Sequence, residues 1–513
     1  MRCSLDASGA SAASYHIATF THGAETLPIV SRLAMESLTR APTPSTAPCH
    51  VVLLACPGVG HLIPLAELAW RLVEHHGFAA TLVTFNGLPG PEACIPPTVS
   101  TAALPAVQMD DLPADARPLT VLVELIRRSL PSLRTLLRSI TPLAALVPDF
   151  LCSAALPLAA ELGVPGYVFV PTSLTLIYLM RRLVELHDGA APGEYRELPM
   201  PLEFPGGLSL PLADLPLPYH DINNLVYAHT LEAGQEYRLA DGFLSNTFDE
   251  MEAATVESFK QGAFPPVFPV GPLVRSNSDD EAGGSWPMLQ WLDRQPTRSV
   301  VYLSFGSAGA LSVEQTAELA AGLEASSYRF LWVVRMPSLD GCSYAYGSGG
   351  DDDDPLAWLP DGFLERTKGR GLAVPGWAPQ VRVLSHPATA VFVSHCGWNS
   401  ALESAVYGVP MLAWPLYAEQ RMNAVVLERR LGVALRPRPR EDGSGVVARE
   451  EVAAAVKELM EGEKGRAARR RAGDLQQAAA RAWSPEGSSR RALEGVAAKW
   501  KAALTVRDGT NRN

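Results

Sequence analysis

Apolar residues in this chain fall into short β-branched runs separated by stretches of helical period. His50–Ala55 (HVVLLA), Ala80–Phe85, Pro165–Thr172 (PGYVFVPT), Ser299–Phe305, Arg329–Arg335 and Ala390–Ser394 (AVFVS) each have the length and character of a buried parallel strand. After the first of them, Cys56–Gly60 (CPGVG) supplies a turn, and His61–His76 places Leu65, Leu68, Leu72 and Val73 on one helix face. Gly77 stops that helix. Strand, turn, helix and strand make a βαβ unit, which implies a parallel sheet covered by helices. The order returns in the second half. There Trp291-Leu292-Asp293 is expected to open a short helix, and Ser312 with Gln315 to form a capping box for SVEQTAELAAGLEA. REEVAAAVKELM and Ser488–Leu504 predict further helices. The fold class is α/β. Residues 173–240 mix helix with Pro-rich loops of the kind that line variable pockets. Arg275–Gly284 (RSNSDDEAGG) is polar and Gly-rich, and reads as a linker between two halves.

Composition narrows the function classes. The chain has 513 residues, 47% hydrophobic and 19% charged, enough for several domains. A net charge of −11 makes nucleic acid or an anionic membrane surface a poor partner. The basic run Arg466–Arg471 lies in a helical pattern and reads as a solvated face. Seven scattered cysteines without a C-x-x-C argue against a disulfide framework or structural zinc and for a reducing, cytoplasmic setting. No run of 18 apolar residues is free of charge or proline, so no membrane span is expected. Residues 1–48 are rich in Ala, Ser and Thr and lack a signal-peptide core. They read as a disordered extension, with a start at Met35 or an organelle transit peptide as alternatives.

Three places carry chemistry. The first is the strand Ala390–Ser394, the tight turn His395-Cys396-Gly397, and a helix opened by Asn399 and Ser400 and stopped by Gly408. Such a turn presents free N–H groups and a positive dipole end to an anion, with His395, Asn399 and Ser400 as further donors. Ser400 and Glu403 equally fit a capping box that needs no ligand. The second is His61, at the start of its helix. A dinucleotide fingerprint fails here, because Ile63 stands where the third glycine belongs. The third is Asp351–Asp354, which sits in a Gly/Ser-rich stretch and reads as a solvated acidic loop rather than a metal site.

The 44-residue stretch Trp377–Gln420 resembles, along its whole length, the signature box of plant UDP-sugar-dependent glycosyltransferases acting on small molecules. Trp377, Gln380, His395, Gly397, Trp398, Asn399, Ser400, Glu403, Pro410, Glu419 and Gln420 carry the match. The resemblance implies roles. Trp377 would stack on uracil, the Ala378 backbone would read its edge, and Gln380 would lie near the ribose. Ser307, His395, Gly397, Trp398, Asn399 and Ser400 would surround the phosphates. Glu403 would accept from ribose hydroxyls, and Thr172, Trp398, Glu419 and Gln420 would meet the sugar. Gln420 and Trp398 look like those of glucose-using members. GVGHLIPLAELA resembles the segment that carries the catalytic base, with Asp149 of LAALVPDF as the partner of His61. The helix N-terminus would keep His61 neutral at rest. Pro148 would tilt the aspartate by removing a backbone donor.

The implied architecture is GT-B, two Rossmann-like domains facing across a cleft. Residues 49–274 would form an acceptor domain, 275–288 a linker and 289–484 a UDP-sugar domain. Residues 485–513 would carry a helix returning to the first domain. The implied activity is inverting transfer of glucose from UDP-glucose to a small phenolic hydroxyl, with hydroquinone, monolignol and flavonoid types in view. Another UDP-sugar, or a terpenoid or hormone acceptor, is the alternative. No metal or cofactor is expected, only UDP-glucose as co-substrate, and the chain is expected to act as a monomer. A nucleotide-dependent oxidoreductase and a non-catalytic UDP-sugar binder are the rival classes. Ile63 disfavours the first, and the presence of His61, Asp149, Glu419 and Gln420 disfavours the second.

Overall fold

The computed structural model describes residues 48–86, 95–113, 116–191, 193–262, 264–275, 286–339 and 354–510. The extension before Pro48, most of the linker and Asp351–Asp353 lie outside these residues. The first half holds β1 (His50–Leu54), β2 (Ala79–Phe85), β3 (Ser100–Leu104), β4 (Leu143–Pro148) and β5 (Tyr167–Val170). It continues with β6 (Leu202–Phe204), β7 (Leu208–Leu210), β8 (Gly242–Ser245) and β9 (Val267–Pro269). Parallel strands run β3-β2-β1-β4 and β5-β8-β9, while β6 and β7 form a separate antiparallel pair.

Pro148 explains why the parallel sheet divides between β4 and β5. Leu146 N–H reaches the Pro165 carbonyl at 3.0 Å. The next N–H on that side belongs to residue 148, and proline has none, so only isolated bridges at Leu146–Gly166 and Asp149–Phe169 join the two strands. The expected tilt of Asp149 does not occur. Its N–H points the other way and bonds the Leu54 carbonyl at 2.9 Å, which anchors it to β1.

The second half is a six-stranded parallel sheet. It contains β10 (Val300–Ser304), β11 (Arg329–Val334), β12 (Gly371–Pro375), β13 (Thr389–Ser394), β14 (Met411–Ala413) and β15 (Ala434–Leu435), ordered β12-β11-β10-β13-β14-β15. Trp291–Asp293 ends a helix, Pro287–Asp293, rather than opening one, because Pro287 is pre-set for the first helical position. Ser312 caps its helix by accepting from Gln315 N–H at 3.1 Å. The return half of that box is missing, because the Gln315 side chain bonds Val447 instead.

The halves interlock. Phe248 and Met251 from the first pack in a core of the second. Met422, Val425 and Val426 pack in a core of the first. Helix Ser488–Thr510 lays Leu493, Val496, Ala497 and Trp500 against the first half's core, where the Trp500 ring meets Tyr167 and Phe78 edge-on. The C-terminal ends of β1, β4, β10 and β13 lead into the turns described next.

Candidate active site

Helix Val59–His76 starts two residues before His61, with Gly58 as its N-cap. Gly58 has φ +121°, a conformation that strains any residue with a Cβ. The turn sets the His61 ring beside the end of β4. His61 Nδ1–H donates to Asp149 Oδ2 at 2.9 Å. The other carboxylate oxygen accepts from Leu151 N–H at 3.0 Å. Asp149 is fully buried, whereas 26% of the His61 side chain stays accessible. Phe150, the residue after the aspartate, stacks on the imidazole with centroids 5.7 Å apart and planes 7° from parallel.

The expectation of a resting neutral His61 is corrected. Burial opposes the imidazolium, but the Asp149 carboxylate outweighs it, with Cys56 and then Glu419 adding in the same direction, and the His61 pKa rises to about 10. A charge 2.9 Å away acts more strongly on the ring than the diffuse field of a helix end.

Across the cleft, β13 ends in His395-Cys396-Gly397, with Cys396 at φ +67°, and helix Trp398–Tyr407 follows. Gly397, not Ser400, is the N-cap, so the capping-box reading of Ser400 and Glu403 fails. The N–H groups of Trp398, Asn399 and Ser400 precede the first intrahelical bond, from Ala401 to Gly397. His395 is wedged between two glycines. A Cβ on Gly306 or on Gly397 would lie 2.5 Å from its Nε2. Burial pushes the His395 pKa down to about 4, so the ring is neutral. Its Nδ1 is buried and has no partner within the described protein. A buried unpaired ring nitrogen is costly, and beside a free helix N-terminus it fits a ligand oxygen or hydroxyl. Ser307 is exposed on the turn next to Gly306.

Gln380, Ser400 and Glu403 form one unit. The Gln380 Nε2 group donates to Ser400 Oγ at 2.9 Å and to Glu403 Oε2 at 2.6 Å. Tyr302 O–H donates to Gln380 Oε1 at 3.4 Å. Burial pushes the Glu403 carboxyl up to about 7, with Gln380 opposing. Trp377 is 59% exposed, its ring tilted against Trp286 at 5.5 Å, and Ala378 beside it is buried.

Trp398 bridges the two halves. Its indole is buried and its Nε1–H donates to the Asn246 carbonyl of the first half at 2.9 Å, so the ring pins the two halves together. Its backbone N–H is one of the three free groups at the helix start. Asn399 also crosses the cleft, donating from Nδ2 to the Gly60 carbonyl at 2.6 Å, one residue before His61. Thr172 O–H donates to Glu419 Oε1 at 3.0 Å, again across the halves. Gln420 is buried, and its Oε1 accepts from the N–H groups of Leu416 and Tyr417 at 2.9 and 3.0 Å, which leaves its amide N–H₂ to other partners. Phe150, Gly306 and Asn423 were not singled out in the sequence for this site. Asn423 Nδ2 holds the turn through the Cys396 carbonyl at 2.9 Å. The aromatic directly after Asp149 was the one signal on offer.

Two parallel-sheet domains, a neutral anion seat on one and a histidine–aspartate pair on the other, have the layout of a glycosyltransferase that draws on a nucleotide-sugar. The comparisons agree with that class. Residues 281–469 match the family model "UDP-glucoronosyl and UDP-glucosyl transferase". The hydroquinone glucosyltransferase of Rauvolfia serpentina is 46% identical over 464 residues, covering 88% of this chain and 98% of that one. A Polygonum tinctorium UDP-glucosyltransferase capable of glucosylating indoxyl superposes with a TM-score of 0.80 at 40% identity, covering 89% of this chain and all of that one. Phytolacca americana UGT2, complexed with UDP-2fluoro-glucose and pterostilbene, gives 0.79 at 39% identity over 88% of this chain and all of that one. The chain belongs to the plant UDP-glycosyltransferase family, and its fold is GT-B. Among the described residues, no helix is long and apolar enough to cross a membrane.

Proposed function

We propose that this enzyme transfers glucose from UDP-glucose to a hydroxyl of a small phenolic acceptor, with inversion, to give a β-O-glucoside. The His61–Asp149 pair, set across the cleft from the helix end at Trp398, carries the reading. Support for a phenolic acceptor comes from the relatives, one named for hydroquinone and one solved with pterostilbene.

A phenol is a weak nucleophile while it holds its proton. His61 Nε2 takes that proton as the oxygen attacks the anomeric carbon. The bond from that carbon to the β-phosphate oxygen breaks, and its electron pair leaves with UDP. Asp149 holds the ring in the tautomer with hydrogen on Nδ1 and stabilises the imidazolium that forms. The raised pKa makes His61 a stronger base, at the cost of its being largely protonated at neutral pH, so the working form is gained as pH rises. Charge growing on the pyrophosphate is met by the N–H groups at 398–400 and the neutral His395. Trp377 stacks on uracil, Glu403 accepts from the ribose, and Thr172, Glu419 and Gln420 hold the sugar. No step calls for a metal ion.

The test is mass spectrometry of reactions of purified protein, UDP-glucose and a panel of phenols, flavonols, monolignols, terpenoids and hormones, each with chelator. The proposal expects hexose addition to phenols that survives chelator and is lost in His61→Ala. Transfer confined to non-phenolic acceptors, or from another UDP-sugar alone, would replace the acceptor or donor named here.

A further inference from the structure

The base has a third neighbour that the transfer reaction does not use. Cys56 lies two residues past β1 and is buried, and its Sγ, a His61 ring nitrogen and an Asp149 carboxylate oxygen all lie within 4.8 Å of one another. It is the one such group of three found among the described residues. We infer that Cys56, His61 and Asp149 form a site for a zinc-like divalent cation, and that its occupation silences the enzyme.

Three arguments carry this. The first is geometry. Tetrahedral zinc with bonds of about 2.0–2.3 Å spaces its nitrogen and oxygen ligands by about 3.4 Å and its sulfur from either by about 3.6 Å. The Nδ1–Oδ2 distance of 2.9 Å and the 4.8 Å bound need only shifts of about an ångström or less to reach that arrangement. The second is charge. A divalent ion with one thiolate, one carboxylate and one neutral imidazole is a neutral cluster, which suits a pocket where both Cys56 and Asp149 are buried. The bound cation displaces the protons on Cys56 Sγ and His61 Nδ1. Sulfur, nitrogen and oxygen donors together select zinc-like ions over magnesium or calcium. The third is access. Cys56 and Asp149 are buried, but 26% of the His61 side chain is accessible, which gives the ion a way in.

The consequence follows from the imidazole. With the ion on Nδ1, the one remaining ring proton sits on Nε2, and that nitrogen can no longer accept one. The silencing rests on the reading of His61 as the base; the binding does not.

The test separates the two. Chelator-treated full-length enzyme is titrated with cobalt(II), and the thiolate-to-cobalt charge-transfer band in the near ultraviolet is followed. The expected result is one saturable band that zinc bleaches. In Cys56→Ala and Cys56→Ser the band should be lost, because the thiolate that gives rise to it is gone. Cys49→Ser, a thiol outside the cluster, should leave it unchanged. Absence of a band in the wild type, or an equal band in both Cys56 variants, overturns the site. In glucosylation assays zinc should inhibit, chelator should restore the rate, and the Cys56 variants should resist. Equal zinc inhibition in those variants overturns the silencing. Failure to find transfer with any acceptor would count against the functional reading alone, because the cobalt titration still decides the site.

Discussion

Replacing Asp149 by asparagine should be more damaging than replacing it by alanine. The reason lies in how the carboxylate is shared. One oxygen accepts from Leu151 N–H at 3.0 Å and the other from His61 Nδ1–H at 2.9 Å. An asparagine amide must turn its oxygen to the Leu151 N–H, which leaves its N–H₂ aimed at Nδ1. The imidazole then answers with a lone pair at Nδ1 and carries its hydrogen on Nε2, the tautomer that cannot act as base. Loss of general-base catalysis costs about 10²–10⁴-fold, and the wrong tautomer falls at the upper end. That corresponds to about 3–5 kcal/mol of transition-state stabilisation. Alanine leaves the ring free to take either tautomer, so Asp149→Ala should retain more kcat than Asp149→Asn. The assay is steady-state glucosylation across pH, with UDP binding and thermal unfolding as checks that each variant is folded. The wild-type kcat/KM should rise with pH through an apparent pKa well above 6.5, because the carboxylate favours the protonated ring. Both variants lose the largest of the influences that raise the His61 pKa while burial still lowers it, so the acid limb should move to lower pH. Asp149→Asn within tenfold of wild type, or an unmoved acid limb, would refute the reasoning.

Other outcomes follow from the donor side. Glu403 has its carboxyl pushed up to about 7 by burial, and ribose hydroxyls donating to it would favour the carboxylate. UDP binding should then release a proton near neutrality, and affinity should weaken as pH falls below about 7; isothermal titration should show this in the wild type and a flat profile in Glu403→Gln. Gly397 has an ordinary φ of −58°, so Gly397→Ala adds no backbone strain, only a Cβ 2.5 Å from His395. Displacing that ring should weaken UDP binding by about tenfold or more, and His395→Ala on top should add little if the two act as one unit. Trp398→Phe removes the bond to the Asn246 carbonyl and should lower stability by about 1–3 kcal/mol in denaturant titration. The preference for UDP-glucose over UDP-galactose should not change in that variant; a changed preference would place the ring at the sugar.

Much of this was legible in the chain. The β-branched runs marked central strands of the parallel sheets in both halves, because a strand buried on two faces has few residue types open to it. His61, Asp149 and Ser307 were findable. What was not legible depends on three-dimensional packing. The direction of the Trp398 indole is decided by a carbonyl 152 residues away on the other domain. Gly306 and Gly397 are needed because His395 lies between them, a relation with no sequence spacing to announce it. The reversal at His61 came from weighing a helix field without the distance to the carboxylate. Pro148 was noticed, but its effect fell on the neighbouring strand because alternate N–H groups face opposite ways along a strand.

The central claim is that His61 removes the acceptor's proton. The most direct test is kcat/KM for wild type and His61→Ala over a series of para-substituted phenols of falling pKa. A base is needed only while the phenol holds its proton, so the wild-type advantage should be largest for the least acidic phenols and shrink steadily toward those ionised at the assay pH. An advantage that stays constant across the series would mean that His61 positions the acceptor without taking its proton, and would contradict the account.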